Sequence, residues 1–212
     1  GQSVSHLFAA PITPAGLASP ARGGGTPNST TAPARPSTSP APAVAASPLP
    51  FYNSADFTAE WIAPHQPGYG QIHRIAPFAL RNQQGQTVTR DSLAGKIYVA
   101  NFFFSSCPMV CPKMLANLRR IQTAFQDDAH VLLVSHSVMP DVDSTQVLQE
   151  YARDNGIVDG KWHLLTGDKD AIYDLARRSY FAEKQAGSPR NRGDFLHTES
   201  MLLIDGLGRI RG

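Results

Sequence analysis

Cysteine is scarce, with two in 212 residues. That excludes a disulfide-stapled mini-domain and an all-cysteine zinc site. Charge of one sign is lacking too. The 19 Lys+Arg face 17 Asp+Glu, a formal net of +2, which excludes a strongly basic nucleic-acid arm and an acidic solvating tail. Long apolar runs are missing. The run at 97–104 is interrupted by Asn101 and falls far short of the roughly 20 residues a membrane-spanning helix needs. Residues 1–50 contain no Asp or Glu at all.

What that first segment does contain is proline, ten of the chain's seventeen, among Ala, Ser, Thr and Gly. Its formal charges are Arg22 and Arg35, so residues 51–212 carry 17 basic and 17 acidic side chains. Such a composition cannot bury enough apolar surface to offset its ordering entropy. Residues 1–50 are therefore expected to be a disordered Pro/Ala/Ser/Thr-rich linker, and residues 51–212 a folded domain. The chain begins with Gly1 rather than Met. We expect a removed start, with a signal or membrane anchor ahead of it, and a linker suited to tethering.

From Phe51 aromatics and acids appear together. Residues 73–89 predict a hairpin, with Phe78 and Leu80 on one face and a turn at Asn82-Gln83-Gln84-Gly85. Residues 97–104 predict a strand covered on both faces. Met114, Leu115, Leu118, Ile121 and Phe125 recur at helical spacing, with Lys113, Arg119 and Arg120 outward. Residues 131–134 predict a second buried strand, followed by a Ser135-His136-Ser137 exit. A helix marked by Val147, Leu148 and Tyr151 follows, then a strand at Trp162–Leu165. A third helix is predicted over 170–179, with Ile172, Leu175 and Ala176 inward. A polar loop spans 182–196, Met201–Ile204 is a strand, and 209–211 begins another. Strands alternating with helices predict an α/β sheet built from crossover units.

The sharpest feature is Cys107-Pro108-Met109-Val110-Cys111-Pro112. A buried strand delivers it and a helix starts inside it. Cys107 is thus expected at or just before a helix N-terminus, where unpaired N–H groups and the helix dipole stabilise a thiolate. Cys111 lies four residues on, about one helical turn. Both cysteines fall in one turn flanked by two prolines, which argues against their packing as plain small hydrophobes. Strand, cysteine and helix in that order is the arrangement of thioredoxin-like proteins. A thiol oxidoreductase usually has two residues between its cysteines. This chain has three, which shifts weight from a redox disulfide toward a metal.

A metal needs a third ligand, and seven histidines are available. His6 falls in the linker. His65 and His73 precede the hairpin, and His130 follows a polar turn. His163 reads as a packing histidine beside Trp162. His197 stands out because it follows a loop holding Asp194 and immediately precedes the strand Met201–Ile204. His136, ending the strand after the cysteine helix, ranks second. Two thiolates and an imidazole favour copper, Cu(I) above all, over Mg, Ca or Mn, while zinc usually takes a fourth ligand. Met109 reads as part of an apolar rim rather than a thioether ligand.

The stretch from Phe102 through Pro112 resembles the copper motif of the Sco/SenC family. Phe195-Leu196-His197-Thr198 ahead of Met201–Ile204 resembles that family's distal histidine segment. Val134-Ser135-His136-Ser137-Val138 and Trp162-His163-Leu164-Leu165-Thr166-Gly167 match its style. The resemblance covers roughly residues 70–212. It implies an α/β, thioredoxin-like fold: a central mixed sheet flanked by helices and preceded by an N-terminal hairpin. It also implies copper, as Cu(I) or Cu(II), held by Cys107, Cys111 and His197. Two departures stand out. Where many members have Asp directly before the histidine, this chain has Leu196, with Asp194 three residues back. The chain also stops at Gly212, short of the closing strand and C-terminal helix that members usually carry.

The expected role is a copper-binding assembly factor, a metallochaperone tethered on the periplasmic side of the inner membrane. Its expected partner is the copper-bearing subunit of cytochrome c oxidase or another copper or thiol protein. No nucleic acid partner is expected, and membrane contact only through a tether. Asp194 or Glu199 would orient the imidazole. The alternative is a thiol–disulfide oxidoreductase using Cys107 as attacking thiolate and Cys111 as resolving thiol to reduce the target's copper-site cysteines. Thioredoxins carry a cis-proline just before the corresponding strand. Here His197-Thr198-Glu199-Ser200 contains none, which counts against the reductase as the main role. A peroxidase is weaker still, and a redox or copper sensor ranks third.

Overall fold

The structure is a computed structural model that describes residues 49–106, 111–182 and 200–212. The expected linker therefore lies outside the described residues up to position 48, and so does nearly all of the expected polar loop at 182–196.

The centre of the domain is a four-stranded mixed sheet in the order β7-β6-β5-β8. Strand β5 (Ile97–Phe103) pairs parallel with β6 (Val131–Ser137), and β6 pairs parallel with β7 (Trp162–Leu165). Strand β8 (Met201–Ile204) runs antiparallel on the other side of β5. Residues 100–103 are buried without a break, because helices or loops cover both faces of this inner strand.

Alternation along β5 sorts the core into two halves. Tyr98, Ala100 and Phe102 join Leu132, Val134, Leu202 and Ile204. They pack with Ile172, Leu175 and Ala176 of helix α3 (Lys169–Arg178), so the inward face predicted for that helix is correct. On the other face, Phe103 and Leu133 meet Met114 and Leu118 of α1 (Cys111–Ala124) and Leu148 and Ala152 of α2 (Thr145–Asp154). Two helices thus cover the face opposite α3. Ser144 caps α2 by accepting from Val147 N at 3.2 Å, and Asp168 caps α3 by accepting from Ala171 N at 2.8 Å. Both satisfy a first-turn N–H that the helix leaves unpaired.

The predicted hairpin is present as β3 (Ala79–Arg81) and β4 (Thr87–Thr89), with Leu80 and Val88 buried. A shorter pair precedes it, β1 (Phe51–Tyr52) with β2 (Ala59–Glu60). The hairpin turn does more than turn. Gln83 is buried, donating to Trp162 O at 2.9 Å and accepting from Leu164 N at 2.9 Å. It thereby closes the outer edge of β7, whose backbone groups would otherwise be open.

Three expectations need correction. Phe125 does not face inward. It lies past the end of α1 and is 45% exposed. Gln122 is buried instead and bridges Gly156 O and Val158 N. Ser135-His136-Ser137 is not an exit from β6 but its buried last turn of pleat. Residues 209–211 do not form a strand, since only Ile210 bridges back to Ile204. That return is held by backbone bonds, Arg211 N donating to Leu203 O at 2.8 Å and Leu203 N to Gly212 O at 2.7 Å, and by side chains. Asp205 accepts from Arg209 Nε at 2.8 Å and Arg211 Nη1 at 3.1 Å, and both guanidinium groups lie over the Phe51 ring. Burial opposes ionisation of Asp205, yet its N–H donors hold the carboxyl below the usual range.

Candidate functional site

Strands β5 and β6 end together, with Phe103 opposite Ser137 and Val138 N donating to Phe103 O at 2.9 Å. The cysteine segment leaves from this edge. Among the described residues α1 opens at Cys111. Cys107 lies outside the described residues, as do Met109, Asp194, His197 and Glu199. The expected set Cys107, Cys111 and His197 is thus represented by the backbone of Cys111 alone.

The flanks of the segment are well defined. Ahead of it, Ser105 is tied to Asp143 in the loop before α2. Ser105 N donates to the carboxylate at 3.2 Å, and Ser105 Oγ donates at 2.5 Å. Ser137 Oγ, at the end of β6, donates to the same carboxylate at 2.6 Å and accepts from Met139 N at 3.1 Å. Asp143 is completely buried. A carboxylate can survive burial when it accepts several hydrogen bonds.

Helix α1 is itself steadied by a buried polar chain that reaches Met114. Trp162 Nε1 donates to Ser135 Oγ at 2.8 Å, and Ser135 Oγ donates to Asn101 Oδ1 at 2.6 Å. Asn101 Nδ2 then reaches Met114 Sδ at 3.6 Å. This buried polar chain ends on α1 three residues after Cys111. Polar groups in that position are acceptable because each one is paired. The sequence points to none of it except through Asn101, the polar interruption of an apolar strand. Asp143 was also missed, since it sits in a run of Asp, Ser and Thr that reads as a solvated helix start.

Five of the other histidines lie among the described residues. His65 and His130 are exposed. His73 Nε2 lies 2.8 Å from Ser179 O. His163, half-buried, lies 3.4 Å from Asn82 Nδ2, and burial pushes its pKa down. His136 is the second-ranked candidate, and the structure removes it. Its ring is completely buried and stacked on Phe102 at 5.2 Å, with Tyr180 at 5.3 Å and Phe78 at 5.8 Å. Phe102 and Tyr180 belong to the α3 half of the core, whereas α1 covers the opposite face. Sequence order put His136 near the cysteine helix; strand parity turns it away. Burial lowers its pKa to about 3, so it is neutral. Among the described residues no group of three His, Cys, Asp or Glu side chains is arranged to hold a metal.

The chain matches the SCO1/SenC family model over residues 68–212. It is 28% identical over 140 residues to the SCO1 protein homolog of Bacillus subtilis, covering 65% of this chain and 72% of that protein. It spans about half of some curated relatives, 47% in the case of the mitochondrial SCO2 of Saccharomyces cerevisiae. Two solved structures are similar in fold and sequence. One is BsSco, a member of the Sco family of cytochrome c oxidase assembly proteins in which a disulfide switch has been identified. It is 27% identical with a TM-score of 0.56, covering 66% of this chain and 82% of its own. The other is Bradyrhizobium japonicum ScoI with copper bound, 30% identical with a TM-score of 0.53, covering 65% of this chain and 86% of its own. The thioredoxin-like architecture expected from the sequence is the one observed.

Proposed function

The chain belongs to the SCO1/SenC family, and from that membership we propose that it is a copper carrier that takes part in assembling the copper centre of cytochrome c oxidase. Copper is its cargo, held by the thiolates of Cys107 and Cys111 and the imidazole of His197. The observation that carries the reading is the placement of Cys111 at the start of α1, directly after the central strand of a Sco-type sheet. A relative of the same fold, ScoI, holds copper. Transfer would run by exchange of ligands with thiols of the recipient, the copper-bearing oxidase subunit. The folded unit would be residues 51–212, with the proline-rich residues 1–50 spanning from a membrane tether on the periplasmic side.

The test is titration of the reduced protein with copper. One copper is expected per chain, with a thiolate-to-copper charge-transfer band for Cu(II) that disappears in Cys107→Ser. His197→Ala should lose most of the affinity, and full retention would remove the imidazole from the ligand set. Because the ligands must be deprotonated, affinity should fall as the pH is lowered.

One observation favours a second role for the same sulfurs. BsSco has a disulfide switch, and a Cys107–Cys111 dithiol would reduce a disulfide in the recipient's copper site by thiolate attack and resolution. Turnover of a disulfide substrate that survives His197→Ala would separate this role from copper carriage.

A further inference from the structure

The carboxylate of Asp143 is completely buried. Its partners are Ser105 N, Ser105 Oγ and Ser137 Oγ, and among the described residues no cation pairs with it. It therefore fastens two neighbouring strand ends. Such an arrangement is expensive unless the charge is needed or every donor is well placed. A neutral Asn offers one fewer acceptor oxygen and would satisfy the same serines less completely. The place of the clamp is what matters. Ser105 stands two residues ahead of Cys107, so at most about 7 Å separates their Cα atoms.

We propose that Asp143 is a positioning residue for the cysteine turn, clamping Ser105 ahead of Cys107 and setting a buried negative charge beside the strand end that delivers the thiol. The proposal rests on the reading of Cys107 as a ligand of the carried copper. The clamp fixes the direction in which the chain leaves β5 at Ser105. The charge favours a cation in the turn and opposes the approach of anions.

Alkylation of the reduced, metal-free protein tests both parts at low ionic strength, where screening is weak. Rates are measured with neutral iodoacetamide and anionic iodoacetate at one pH. In Asp143→Asn the iodoacetamide-to-iodoacetate rate ratio is expected to fall two- to fivefold, about what one charge at such a range exerts near a surface. A purely structural role would shift both rates together and leave the ratio alone. Ser105→Ala keeps the charge and loosens the clamp, so both rates should change at least twofold with the ratio constant. An unchanged ratio in Asp143→Asn overturns the electrostatic role. Wild-type rates in Ser105→Ala overturn the clamp, and that variant decides alone if Asp143→Asn does not fold. Failure of the unmodified protein to bind copper is a separate result, and it overturns the carrier reading instead.

Discussion

A single imidazole ring shows how this fold treats polar groups that it does not pair. His136 sits between Phe102, Phe78 and Tyr180 with neither ring nitrogen hydrogen-bonded. Leaving a buried polar group unsatisfied costs roughly 1–3 kcal/mol. His136→Phe should therefore raise the melting temperature, since the ring is kept and the orphan nitrogens are removed. The same residue makes stability depend on pH. Its folded pKa is near 3, whereas an unfolded histidine titrates near the ordinary value of 6.5. Below that value the unfolded chain takes up a proton that the folded chain refuses. Its contribution is thus complete above about pH 6.5 and is lost progressively as the pH falls toward 3, with a limiting slope of about 1.4 kcal/mol per pH unit. Urea unfolding at pH 7 and pH 5 checks this. The wild type should lose more stability than His136→Phe over that interval, and equal losses in the two proteins would falsify the assignment.

Like β8 at the other end of the sheet, β7 is an edge strand open to loss of its partners. Gln83 covers it by binding Trp162 O and Leu164 N with one side-chain amide. Gln83→Leu keeps the bulk and removes these bonds together with the one to Asp159 Oδ1 at 2.8 Å, leaving a buried donor and acceptor open. A loss of about 2–4 kcal/mol is expected, with faster hydrogen exchange at the Leu164 amide while amides in the centre of β5 change only with global stability. This contact also marks the limit of what is legible in the amino-acid sequence. The central strands and α3 are readable because an unbroken apolar run or a repeat of Ile172, Leu175 and Ala176 has few interpretations. The hairpin is readable because Asn82 and Gly85 suit its turn. The docking of that turn on β7 is not, because a glutamine in a polar turn looks the same whether it meets water or a strand edge. His136 was misjudged for a related reason. Nearness in sequence to the cysteine helix says nothing about which face of the sheet a residue occupies, and one position along β6 decides it. The proposed ligands Cys107, Cys111 and His197 are a reading of spacing and chemistry in the sequence that, apart from the Cys111 backbone, falls outside the described residues, whereas the Asp143 clamp depends on two strand ends meeting in space.

In the molecule as a whole, the three proposed ligands come from separate parts of the chain. Cys107 follows β5, Cys111 opens α1, and His197 precedes β8, which pairs with β5. A copper bound by all three would tie the helix on one face of the sheet to the entry of an edge strand. The unfolded chain does not hold these groups together, so binding free energy adds to folding free energy. At a free copper concentration 100 times the dissociation constant the gain is about 2.7 kcal/mol. The melting temperature of the reduced protein should therefore rise on addition of one equivalent of Cu(I) and return to its metal-free value with a strong Cu(I) chelator. If His197 supplies the long-range link, His197→Ala will show a much smaller rise, although Cys107 and Cys111 remain to bind the ion. A rise as large as in the wild type would mean that the cysteine turn holds copper alone, and that β8 takes no part in the carrier's metal-dependent stability.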